Sequence, residues 1–138
     1  MLIYGYADMT ASKLVYGELT YELNGILFAV HNELGRYRNE KQYSDEIERL
    51  LKLRGIPYER EKIVPESFAG ELPGRNIVDF LIAGKIVLEV KTKRLLEKSD
   101  YYQTKRYLAA LGKKLAILVN FRDKVIKPRR ILNSSASE

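Results

Sequence analysis

The stretch from 77 to 91, "IVDFLIAGKIVLEVK", is the tightest constraint on the fold: two apolar runs of strand type flank Ala83-Gly84-Lys85, and each contains one acid, Asp79 or Glu89. Side chains on a strand alternate between faces, so loop length decides where those acids point. If the loop is Ala83-Gly84, Ile82 pairs with Lys85 and Asp79 faces away from Glu89. If it is Ala83-Gly84-Lys85, Ile82 pairs with Ile86, Asp79 lies across from Glu89, and Ile77 lies across from Lys91. Hydrophobic sorting selects the second register. It gathers Val78, Phe80, Ile82, Ile86, Leu88 and Val90 on one face and leaves Asp79, Glu89 and Lys91 on the other with Ile77, Leu81 and Val87.

Directly opposed strand residues have Cβ atoms ~4.5 to 5.5 Å apart, so two ionised carboxylates there repel unless a positive charge sits between them. A hard divalent cation meets that need, since magnesium takes one or two carboxylates and fills its remaining positions with waters and phosphate oxygens. Asp79, Glu89 and a backbone carbonyl form an open site of this kind. Lys91, on the same face, can then reach a phosphate or the attacking water. Taken alone, D-x9-E-x-K is a short pattern, and a half-exposed sheet face with one Asp and a Glu/Lys pair produces it more often than a metal site does.

The rest of the chain supplies the layers. Leu19, Leu23, Ile26, Leu27, Val30 and Leu34 form one helical stripe ending at Gly35. A second stripe, Tyr43, Ile47, Leu50 and Leu51, predicts a helix over Glu40 to Arg54, stopped by Gly55 and Pro57. "YEREKIV" predicts a modest strand ending at Pro65, and "LPG" at 72 to 74 a turn. Ser99 is the expected N-cap of a third helix that closes at Gly112. "LAILVN" (115–120) fits a strand buried on both faces, and a weaker strand is expected over Arg129 to Leu132. The order α, α, β, β, β, α, β, β is that of an α/β fold with a central mixed β-sheet flanked by helices.

Charge points to a partner. Of the net +6, residues 91–130 carry +10, thirteen Lys/Arg against Glu97, Asp100 and Asp123. A basic half of this kind suits a polyanion, although Lys and Arg also serve simply to solvate surfaces. No cysteine is present, which excludes disulfides, thiolate zinc sites and cysteine nucleophiles. No apolar run approaches the ~18 residues of a membrane span. The first residues lack a secretion-signal pattern, so a cytoplasmic location and no membrane partner are expected. His31, the only histidine, lies beside Val30 on the first stripe and is read as packed or capping.

"LNGILFAVHNELGRYRNEKQYSDEIERLLKLRGIPYERE", "IVDFLIAGKIVLEVK", "YYQTKRYLAALG" and "LAILVNF", in that order, resemble the small GxxExxR proteins of the PD-(D/E)XK nuclease superfamily. The resemblance implies a restriction-endonuclease-like core over 17–133, after an N-terminal extension (1–16) and before a disordered tail (134–138). It implies a metal-dependent nuclease using Mg2+ or Mn2+. Asp79, Glu89 and the Val90 backbone carbonyl would hold the metal, with Glu40 acting through water. Glu89 and Lys91 would be the E-x-K pair, and Gln103, followed by Tyr107, the fourth element of the catalytic set. The chain departs from the pattern at Ile77-Val78, where a proline or glycine is usual, at Tyr37 in place of glycine, and at Tyr43 in place of arginine. Lys93, Arg94, Lys98, Lys105 and Arg106 are candidates for nucleic-acid binding. Among the interleaved tyrosines 101, 102 and 107, at least one is expected in the core and the others could stack on bases. The alternative is a catalytically inactive nuclease-fold module that binds nucleic acid or a protein partner; a homodimer stays open.

Overall fold

The computed structural model describes residues 15–136, so most of the expected N-terminal extension and the end of the expected tail lie outside the described residues. Helix α1, Gly17–Leu34, forms on the predicted stripe, burying Leu23, Ile26, Leu27 and Val30 completely. It stops at Gly35, whose φ of 75° is open to glycine and strained for other residues. Helix α2, Glu40–Leu53, starts from a capping box: the Asn39 side chain accepts the Gln42 amide at 2.8 Å, and Gln42 accepts the Asn39 amide at 3.0 Å. Its buried Tyr43, Ile47 and Leu51 pack with α1.

Five strands follow: β1 Tyr58–Ile63, β2 Ile77–Ile82, β3 Ile86–Lys91, β4 Leu115–Asn120 and β5 Arg129–Leu132, with helix α3, Lys98–Leu111, between β3 and β4. They form one sheet in the order β1-β2-β3-β4-β5. β3 and β4 are parallel, joined through α3, and the other neighbours are antiparallel. The sheet is therefore mixed and flanked by helices, as expected. α1 and α2 cover the face of Phe80, Ile82, Ile86, Leu88, Ile117 and Val119. α3 covers the opposite face through Tyr107 and Leu108 against Leu81, Val87, Ala116 and Leu118. Every residue of β4 is buried, which accounts for its unbroken apolar run. Each fully buried large aliphatic contributes about 1.5–3 kcal/mol, so the centre of the sheet is a firm support for whatever stands at its ends.

The hairpin has the expected pairing, Ile82 with Ile86. The three residues Ala83, Gly84 and Lys85 join the strands, with a tight turn inside that loop. Ala83 and Gly84 take φ of 53° and 68°, and the Lys85 amide donates to the Ile82 carbonyl at 2.9 Å. The turn closes on two residues, and Lys85 is an extra residue that restores the register favoured by hydrophobic sorting.

Two local expectations are corrected. Ser99 is not the cap of α3: the helix begins at Lys98 behind Glu97, because Asp100, three residues on, reaches back to accept the Glu97 amide at 2.7 Å. Val78 packs with Leu81 and Val87 rather than with Phe80 and Ile82. Strict alternation along β2 fails around Asp79, where the ladders on both sides loosen.

Candidate active site

Asp79 stands at that loosening. On one side, the β2–β3 ladder ends at Phe80–Leu88. Beyond it the side chains take over the backbone donors: Asp79 Oδ2 accepts the Val90 amide at 2.6 Å, and Glu89 Oε1 accepts the Asp79 amide at 3.0 Å. On the other side, the β1–β2 register pairs Arg60 with Phe80 and Lys62 with Val78 but skips Glu61, whose φ is 55°. The strands part at this level, and two carboxyl groups occupy the gap. Among the described residues, the second oxygen of each makes no hydrogen bond.

The electrostatics follow from burial. Glu89 is 4% exposed. Desolvation, then the neighbouring Asp79 charge, pushes its pKa up to about 8, against the opposing pull of the Asp79 amide and Lys91. Desolvation also leads for Asp79, with Glu40 adding repulsion, and its pKa rises to about 6 despite the Val90 amide, Lys91 and Arg60. The pair therefore titrates as one unit that resists carrying two negative charges.

Lys91 follows on β3, but its ammonium group turns toward α3. Its Nζ donates to Gln103 Oε1 at 3.4 Å and lies 4.0 Å from Asp100 Oδ1. Gln103 therefore meets Lys91 rather than either acid. Burial would raise the Asp100 pKa, but the Glu97 amide and the Lys93 ammonium outweigh it and hold the carboxyl below its usual range. Lys93 is bound by Asp100 at 2.9 Å and Glu97 at 2.9 Å. Arg94, Lys98, Lys105 and Arg106 are exposed and form no ion pair among the described residues. Glu40 is exposed in the first turn of α2 and reaches the site through a surface cavity of about 260 Å³ lined also by Arg60, Glu61 and Asp79.

A family model of the PD-(D/E)XK nuclease superfamily matches residues 17–131, the span that holds this sheet and these side chains. The chain belongs to that superfamily. No curated protein and no solved structure matches it.

PD-(D/E)XK nucleases typically use divalent metals. Among the described residues, no group of three or more acids or histidines gathers into a ready-made metal cluster. The donor set is smaller and it fits: the buried Glu89 and the half-buried Asp79 face one gap, each with an oxygen left over, and among the described residues neither has an ammonium or guanidinium within ion-pair distance. A dication would offset the burial and the repulsion that together raise both pKa values.

Sequence reading missed three residues here. Glu61 and Arg60 line the cavity beside Asp79, and Arg60 is held by Asp45 and Glu48 at 2.8 Å. Alternation on a modest strand gave no sign that Glu61 would adopt a left-handed conformation. Asn120, buried at the end of β4, accepts the Lys93 amide at 3.0 Å and donates to the Lys93 carbonyl at 2.6 Å, fixing the chain just after Lys91. A polar residue closing an apolar strand was its only sequence signal. Tyr107 is the core member of the tyrosine set, and His31 is structural, its Nε2–H donating to the Asp123 carbonyl at 2.9 Å.

Proposed function

We propose that this protein is a metal-dependent nuclease that hydrolyses phosphodiester bonds of DNA or RNA, and that it is of the small GxxExxR kind. Asp79, Glu89 and the Val90 carbonyl would hold Mg2+ or Mn2+, with Glu40 reaching it through water. The ion, when bound, supplies charge stabilisation at the phosphoryl oxygen and acidifies a water. Lys91 donates to a phosphate oxygen or to the attacking water, and Gln103 keeps its ammonium group oriented. Arg94, Lys98, Lys105 and Arg106 contact flanking phosphates, so affinity falls steeply with salt. Lys93 joins them only by exchanging Asp100 and Glu97 for phosphate. None of these groups reads base identity, so specificity comes from nucleic-acid shape or from a partner.

One observation carries the reading: on a fold of this superfamily, the buried Glu89 and the half-buried Asp79 share one gap with no ion-pair partner for either among the described residues, beside a lysine two residues along the strand. The test is cleavage of a panel of labelled DNA and RNA, single- and double-stranded, with manganese or with EDTA. Native protein should cut at least one substrate with manganese only, and Glu89→Ala and Lys91→Ala should lose at least ~100-fold in rate. Binding that persists in EDTA with no cleavage of any substrate would favour the inactive module.

A further inference from the structure

A second cluster lies at the same edge of the sheet as the acids, and nothing in the catalytic set uses it. Tyr37, in the loop between α1 and α2, is 74% exposed. The guanidinium of Arg36 lies 5.1 Å from its ring centroid and that of Arg122 lies 5.6 Å away. With so much of the residue exposed, the two cations leave most of the ring in solvent. The arrangement is built rather than loose: Arg36 Nε donates to the Arg122 carbonyl at 2.8 Å, and the Tyr43 hydroxyl donates to the Gly35 carbonyl while accepting the Arg38 amide at 3.3 Å. Tyr43 in turn stacks on Phe121 at 4.3 Å.

Two observations call for an anion. Neither Arg36 nor Arg122 has a carboxylate within ion-pair distance among the described residues, although the two are held side by side. Among the described residues Arg122 Nε is also a buried donor without a partner, a state that costs free energy. The position is equally specific. The Phe121 amide donates to the Lys91 carbonyl at 2.9 Å, so Arg122 sits just past the end of β4, beside the end of β3 that carries Lys91. An exposed ring bordered by two unpaired guanidiniums is the combination that stacks a base and grips its phosphates.

We infer that Tyr37, Arg36 and Arg122 form a binding site for one unpaired nucleotide of a single-stranded segment, next to the phosphate that Lys91 contacts. This deepens the nuclease reading and rests on it for the position of that phosphate. It selects single-stranded chains, DNA or RNA, over blunt duplex, because a base inside a duplex has no free face to offer the ring.

The test is direct binding in EDTA, where no cleavage enters. Tyr37→Trp creates the only tryptophan in the chain. Oligo-dT or oligo-U should quench its fluorescence, and a blunt duplex of equal length should not. In anisotropy titrations with the same oligonucleotides, Tyr37→Ala should weaken binding about tenfold and Tyr37→Phe should restore it. Arg122→Gln should reduce the salt slope by ~0.7, one phosphate's worth for a single strand. Equal affinity of native and Tyr37→Ala proteins, an unquenched tryptophan, or full competition by polyglutamate would overturn the inference. If these results hold while the manganese assay shows no cleavage, only the catalytic reading fails; cleavage with unaltered binding by Tyr37→Ala overturns only the nucleotide site.

Discussion

At residue level, Asp79 and Glu89 do two jobs with one carboxyl each: they replace backbone acceptors where the strands part, and they keep a free oxygen in the gap. The facing of these acids was legible in the sequence, because hydrophobic sorting admits only one register. Their use of backbone donors was not, since alternation describes a regular ladder and this one stops at Phe80–Leu88. Glu61 was equally hidden, and its φ of 55° costs an L-residue roughly 1–2 kcal/mol. Glu61→Gly should therefore stabilise the fold by about 0.5–1 kcal/mol in urea denaturation, glycine's extra unfolded-state entropy offsetting part of the relief. A fall in stability would mean that the exposed Glu61 side chain holds the cavity together.

At the level of elements, the helices and strands lie close to where their periodicity puts them, because each has one face in a continuous core. Caps were harder to read. Ser99 is the better cap by residue type, but Asp100 lies three residues after Glu97 and can reach its amide. The pin at Asn120 joins residues far apart in sequence, Lys93 and Asn120, which only the parallel β3–β4 pairing brings together. Asn120→Ala leaves both Lys93 backbone groups without that partner, so it should cost about 1–3 kcal/mol of stability. The loosened chain should also carry Lys91 out of position, lowering manganese-dependent cleavage by about tenfold or more. Unchanged cleavage in a destabilised variant would confine Asn120 to a structural role.

Across the whole molecule, two helices on one face and one on the other leave the sheet's edge free for acids, lysines and the Tyr37 cluster. The α/β layering was legible from element order, whereas the Tyr37–Arg122 juxtaposition spans most of the chain and left no local trace. The raised pKa values make stability depend on pH. Between the ordinary carboxylate range and about 8, the native state keeps protons that the unfolded chain has released, so metal-free stability should fall as pH rises through that window. Glu89→Gln should flatten the profile and exceed the native protein by about 1–3 kcal/mol at pH 8, while matching it near pH 4. A native profile that rises with pH over this range would show that the pair is neutralised from within. The most direct measurement is a calorimetric titration of manganese at pH 7.5 into the native protein, Asp79→Asn and Glu89→Gln. Saturable binding of manganese by the native protein and none by either variant is expected; equal binding by all three, or none by the native protein, would contradict a metal held by Asp79 and Glu89.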